Sequence, residues 1–338
     1  MIELISHLTD ICDRIPPLDK QAMASAQTRQ HSLTKPQGSL GRLEALSVRL
    51  AGITGQPLPR LDNKAVIVLA GDHGIVAEGV SAYPSEVTAQ MVLNFLRGGA
   101  AINVLARQAG ARVIIADVGI ASDLPSHPHL LDRKIAHGTA NFAHAPAMSH
   151  DQAVEAVQTG LDIVNGEVER GLDLVATGEM GIGNTTPASA ITAVYAGLPP
   201  SQVTGRGTGV DDKGLARKVD AIERALALHR PDPADPLGVL SAVGGYEIGA
   251  IAGVCLGAAA HRVPVLIDGF ISAAGALIAA ALCPAVKPYL LASHLSVERG
   301  HAPLWQLLGL QPLLDLDLRL GEGTGAVLAM HLVEASCR

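Results

Sequence analysis

AVIVLAGDHG, residues 65–74, joins an apolar run to a polar turn. Six apolar residues rich in Val and Ile run without a polar interruption and stop at Gly-Asp-His-Gly. The run is too short for a helix and apolar at every position, which describes a strand buried on both faces. Similar short runs recur at Val113–Val118, Leu172–Thr177, Val263–Ile267 and Tyr289–Ala292, separated by Ala-rich helical stretches. Strand alternating with helix implies right-handed crossovers and a mostly parallel sheet with helices on both faces. In that α/β class the ligand site lies beyond the carboxyl ends of the strands. GDHG, GEMGIGNTT, DGF and SHLSVERGH each follow one of these runs, so they are expected to meet at one site.

Residues 1–60 read as helical and end in the Pro-punctuated GQPLPRLDN. At the other end GEGTGAVLAMHLVEAS opens a helix expected to pack back on the N-terminal ones. The expected division is therefore a large α/β domain over 61–322 and a small helical domain built from 1–60 with 323–338. Between them Leu313–Leu320 alternates Leu with Asp315, Asp317 and Arg319, which fits a half-exposed strand or an extended loop. Ile271–Val286 is apolar over about 16 residues, short of the 18 to 20 that cross a bilayer, and reads as a buried helix.

Hydrophobic residues make up 48% of the 338 but aromatics only 2%, so Ala, Leu, Val and Gly must build the core by close approach of elements. A net charge of −7 offers no broad positive field for nucleic acid or an acidic membrane. An anionic ligand must be caught locally. Cys12, Cys255, Cys283 and Cys337 are scattered without a CxxC, which disfavours zinc and a disulfide framework. MIELISHLTDICDRIPP lacks a secretory pattern, so a cytoplasmic location is expected.

Three Gly-rich turns carry the chemistry: Gly181–Thr186, Gly205–Gly209 and Gly321–Gly325. Glycine lets backbone approach an anion, while helix N-termini and Thr hydroxyls supply donors. Tight turns that merely cap helices remain the alternative for each. No GxxxxGK[ST] occurs, and no GxGxxG directly follows a strand, so ATP and NAD are poorly supported. Asp211-Asp212 follows GTGV rather than the apolar run of a diphosphate site. Glu322 and Glu179 sit in or beside these turns, where they can reach a ligand or cap a helix. Arg319 and Lys218 can neutralise a phosphate, although a lysine in DDKGLARKVD also reads as a solvated helix residue. His73, His294 and His301 are candidate metal ligands without a supporting HExxH or compact His/Asp set.

KPQGSLGRLE, AGDHGIVAEG, TGEMGIGNTTPASA, GRGTGVDD, GGYEIGAIAG, DGFI, SHLSVERGH and RLGEGTGA occur in this order from Lys35 to the C-terminal turn. Together they resemble the nicotinate-nucleotide:dimethylbenzimidazole phosphoribosyltransferase family, which assembles the lower nucleotide loop of cobalamin. The resemblance implies a Rossmann-like large domain, a small helical domain from both termini and a homodimer, with no cofactor and no metal. It also implies transfer of ribose phosphate from nicotinate mononucleotide to 5,6-dimethylbenzimidazole. Glu322 would be the general base and Glu179 a second acid. Gly181, Gly183, Asn184, Thr185, Lys218 and Arg319 would hold the phosphate, and Asp268 would lie near the ribose or the departing nicotinate. Tyr83, Gln90, Met91 and Leu320 would form the base pocket.

Three other readings use the same residues. A nucleotide glycosidase would place water where the benzimidazole sits. A non-catalytic nucleotide sensor would need the turns but not Glu322. A metal hydrolase would use His73 and His294 and lose activity to a chelator.

Overall fold

The computed structural model describes residues 10–338. Its centre is a six-stranded sheet in the order β3-β2-β1-β4-β5-β6, parallel throughout. The strands are β1 (Lys64–Gly71), β2 (Ala111–Gly119), β3 (Leu130–Asp132), β4 (Leu174–Met180), β5 (Val265–Ile267) and β6 (Leu290–Ala292). This is the doubly wound order whose direction of winding reverses between β1 and β4. The five apolar runs correspond to β1, β2, β4, β5 and β6. The short edge strand β3 had no such signal, because Leu130 and Leu131 are flanked by histidines and charges.

Successive side chains of β1 point to opposite faces, and both faces are covered, which explains the unbroken apolar run Ala65–Ala70. Ala65, Ile67 and Leu69 enter one core with the helices His150–Val168, Tyr246–Ala260 and Phe270–Leu282. Val66, Val68 and Ala70 enter a second core on the opposite face. That second core holds the helices Arg42–Thr54, Glu86–Leu96, Ala101–Ala109 and Thr324–Cys337. The C-terminal helix thus lies on the sheet and also touches Arg42–Thr54. The Ile271–Val286 run becomes the helix Phe270–Leu282, which ends where Pro284 removes a donor. Among the described residues no helix is long and apolar enough to cross a membrane.

The alternating Leu313–Leu320 segment resolves into β8 (Leu314–Leu318), which pairs in parallel with β7 (His294–Ser296) in a separate two-stranded sheet. This small sheet carries SHLSVERGH and RLGEGTGA side by side beyond the end of β6.

Glycine replaces aromatic bulk where helices cross. A Cβ on Gly160 would stand 1.8 Å from the Ala250 carbonyl oxygen, and one on Gly253 would stand 1.9 Å from that of Val157. The helices His150–Val168 and Tyr246–Ala260 therefore meet backbone to backbone. Gly253→Ala is expected to cost about 3 kcal/mol or more, at or beyond the upper end of ordinary overpacking. Its urea midpoint should fall accordingly, and a midpoint equal to the wild type would rule out so close a crossing.

Candidate active site

The carboxyl ends of β4 and β5 and the β7–β8 sheet surround a cavity of about 230 Å³. Glu179, Gly181, Asn184, Thr185, Gly207, Thr208, Arg319, Leu320 and Glu322 line it, with Tyr83 and Met91 opposite. Most residues expected at the site therefore converge. Gly183 does not reach the cavity, since its Cα faces Val76, and Gln90 is exposed on the outer side of its helix. A second cleft beside β6 contains Arg42 and Arg49, but both guanidiniums are spent on backbone carbonyls, including those of Pro312 and Leu290.

Glu322 occupies an unusual backbone corner. Gly321, Glu322 and Gly323 all have positive φ (84°, 64° and 93°), and only the middle residue carries a side chain. A left-handed non-glycine residue costs about 1–2 kcal/mol, so something else must hold it. Asp268 does so: its Oδ2 accepts the Gly323 N–H at 3.1 Å and its Oδ1 the Ala326 N–H at 2.8 Å. Asp268 is wholly buried and lies beneath the turn rather than on the cavity surface. Gly178 completes the fit, because a Cβ there would stand 2.5 Å from the Glu322 carbonyl oxygen.

The Glu322 side chain reaches the N-terminus of the helix Ala101–Ala109, where Oε2 accepts the Ile102 N–H at 3.2 Å. Its other oxygen accepts no hydrogen bond among the described residues. Burial raises the carboxyl above the ordinary glutamate range, the Ile102 N–H pulls it back, and Asp268 pushes it up again. Glu179 lies directly under Gly321, where a Cβ would meet its Oε1 at 2.4 Å. Its Oε2 accepts from Asn184 Nδ2. Full burial, reinforced by Asp268 and Glu247, lifts the Glu179 carboxyl to about 8, despite the Asn184 bond. At neutral pH the Glu179 carboxyl is therefore held mainly in its protonated form.

Lys218 backs the other end of the cavity. This residue is 0% exposed, against the solvated alternative that its helix pattern allowed. Its Nζ donates to Thr185 Oγ1 at 2.5 Å and to the Gly205 carbonyl at 3.4 Å. Gly207 omits the Cβ that would stand 2.9 Å from Nζ, so the ammonium lies just behind the turn backbone. Burial lowers the Lys218 ammonium to about 8, with Glu298 opposing the shift. Arg319 adds an exposed cation at the mouth.

His73 Nε2 lies 2.9 Å from Glu247 Oε1, both side chains fully buried, and the ring packs against Gly181. Burial opposes the imidazolium, but Glu247 outweighs it and raises the His73 pKa. Glu247 was not singled out from the sequence, nor were the cavity-lining Ser296 and Glu298, although the last two lie at alternate positions of SHLSVERGH. Among the described residues no group of three or more His, Cys, Asp or Glu is arranged to hold a metal ion.

A doubly wound sheet that sets a cationic Gly-rich cradle opposite two buried acids defines an enzyme acting on a phosphorylated small molecule. A family model described as phosphoribosyltransferase matches residues 15–338. The chain belongs to that family. A nicotinate-nucleotide–dimethylbenzimidazole phosphoribosyltransferase of Roseiflexus sp. (strain RS-1) is 64% identical over 334 residues, covering 99% of this chain and 95% of that protein. The protein of the same name from Geobacter sulfurreducens is 55% identical, covering 98% and 94%. The crystal structure of CobT from Thermus thermophilus superposes with a TM-score of 0.91 at 52% identity, covering 94% of this chain and 95% of that one.

The raised Glu179 pKa fixes a sign for stability. Unfolded glutamate ionises near 4.5, whereas the folded carboxyl keeps its proton up to about 8. Between these values unfolding releases a proton, so rising pH favours the unfolded chain. Glu179→Gln lacks this titration, and the wild type should lose stability relative to it as pH climbs from about 5 to 8. Urea unfolding across that range checks the trend, and a gap independent of pH would contradict the protonated assignment.

Proposed function

We propose that this protein transfers ribose 5-phosphate from nicotinate mononucleotide to 5,6-dimethylbenzimidazole, giving α-ribazole 5′-phosphate and nicotinate. One observation carries the reading: the Glu322 carboxylate lines one cavity with Thr185 and Gly207, and Lys218 backs that pair through Thr185 Oγ1, as two-substrate chemistry on a phosphorylated sugar requires. The names of the similar proteins supply the two substrates.

The chemistry follows from the donor's charge. A pyridinium nitrogen bonded to the anomeric carbon leaves as a neutral ring, taking the electrons of the broken bond. One benzimidazole nitrogen attacks that carbon from the opposite face, so a β-nucleotide gives an α-riboside. The other ring N–H becomes acidic as the bond forms, and its proton passes to Glu322. Glu179, protonated beneath Gly321, offers a hydrogen bond without adding a second negative charge. Gly181, Asn184, Thr185 and Arg319, with Lys218 behind them, hold the phosphate, while Tyr83, Met91 and Leu320 flank the base. Fixing both substrates in one cavity turns a two-body encounter into a local one, a large part of the acceleration.

We further propose a cytoplasmic homodimer. All four cysteines are free thiols. Tyr83 and Leu320, at the cavity mouth, are 54% and 58% exposed and offer apolar area to a second copy.

Purified protein incubated with both substrates should release nicotinate and α-riboside phosphate in equal amounts. Nicotinate released without the base would mark a glycosidase instead. Glu322→Gln is expected to lower turnover by about two to four orders of magnitude while nucleotide binding persists. Wild-type turnover in that variant would remove Glu322 from the mechanism.

A further inference from the structure

His294, Ser296 and Glu298 are spaced two apart along and just beyond β7, and all three side chains line the cavity. This row is tied to both ends of the site. At its start a Cβ on Gly325 would stand 2.1 Å from His294 Nδ1, so the imidazole packs against the turn that carries Glu322. At its end Glu298 Oε1 accepts the Gly207 N–H at 3.0 Å, within the anion cradle. At ~3.3 Å per residue the row measures roughly 13 Å, the scale of a mononucleotide laid from phosphate to base.

Hydrogen-bond accounting fixes the His294 ring. Ser293 Oγ donates its single proton to the Asp268 carbonyl at 3.2 Å. With that proton on the carbonyl, which can only accept, the 3.0 Å contact with His294 Nδ1 is donated by Nδ1–H. Nε2 remains, and in the neutral ring it is a lone-pair acceptor. No hydrogen bond reaches it among the described residues, although the side chain is only 4% exposed. The ring is held edge-on to His301 at 5.9 Å, and Trp305 Nε1 anchors the His294 carbonyl at 3.2 Å. A locked ring with one free acceptor suits a ligand donor of fixed position.

We propose that His294 Nε2 accepts the 2′-hydroxyl of the bound ribose and so selects ribonucleotides over 2′-deoxyribonucleotides. The proposal rests on the nucleotide reading above. Phosphate and nicotinate carboxylate are acceptors and do not pair with a lone pair, and the benzimidazole N–H belongs to Glu322. The ribose hydroxyls are the donors left. The 2′-hydroxyl sits on the carbon next to the reacting one, and His294 sits at the Glu322 end of the row.

Calorimetry with nicotinate mononucleotide and its 2′-deoxy and 3′-deoxy analogues tests this on wild type, His294→Phe and His294→Gln. The wild type should bind the 2′-deoxy analogue roughly tenfold more weakly than the parent, the worth of one buried neutral hydrogen bond. His294→Phe should bind these two alike while its response to the 3′-deoxy analogue stays that of the wild type. His294→Gln, whose amide oxygen can take the place of Nε2, should recover most of the discrimination. His294→Ala reads the same ratio if the Phe variant does not fold. Equal binding of parent and 2′-deoxy analogue by the wild type overturns the proposal, as does a wild-type ratio in the Phe or Ala variant. Failure of the wild type to bind the parent nucleotide at all overturns the nucleotide reading, and this proposal with it.

Discussion

The Asp268 carboxylate clasps the N–H groups of Gly323 and Ala326, and the geometry of the site follows from that grip. It caps the C-terminal helix and stabilises a left-handed corner that a glutamate would otherwise leave. Without the corner, Glu322 would not lie over Gly178 and reach across to the helix that begins at Ala101. The same residue also ties to the opposite wall, because its carbonyl accepts from Ser293 Oγ, which in turn contacts His294 Nδ1. One buried acid therefore aligns groups from three separate segments. Ends of β5, β7 and the last helix become a single rigid rim.

Electrostatics divides the acids around this rim by their surroundings. Glu179 is buried, has no cation paired with it among the described residues, and keeps its proton up to about 8. Glu247 has His73 at 2.9 Å and remains paired. Glu322 keeps one helix N–H and an opening to the cavity, the arrangement of a carboxylate that can gain a proton during a reaction. At the other end Lys218 carries its charge behind glycine backbone rather than at the surface. The proposed phosphate would meet backbone and Thr hydroxyls first and the ammonium through them.

Much of this was legible because the chemistry repeats a simple pattern. Apolar runs such as Ala65–Ala70 are strands since both faces are covered, and the Gly-rich turns follow them because the sheet presents its loops at one end. What escaped depends on contacts that no local pattern encodes. The strand β3 is a short edge piece whose neighbours are polar. Lys218 shares its helical periodicity with solvated lysines, and only the packing of Gly205–Gly207 over it shows burial. Asp268 follows a strand like any ligand-facing acid, yet both its oxygens turn to backbone of a segment more than fifty residues away. The alternation His294, Ser296, Glu298 was visible in the sequence, but its meaning required β8 to be seen pairing with β7.

The free oxygen of Glu322 is where the incoming heterocycle is proposed to deliver its proton, and a crystal structure with 5,6-dimethylbenzimidazole bound would show whether it does. A ring N–H is expected within about 2.7–3.0 Å of the Glu322 carboxylate, with the other ring nitrogen facing the cradle formed by Thr185 and Gly207. A base seated elsewhere, with Glu322 still bound only to Ile102, would contradict it.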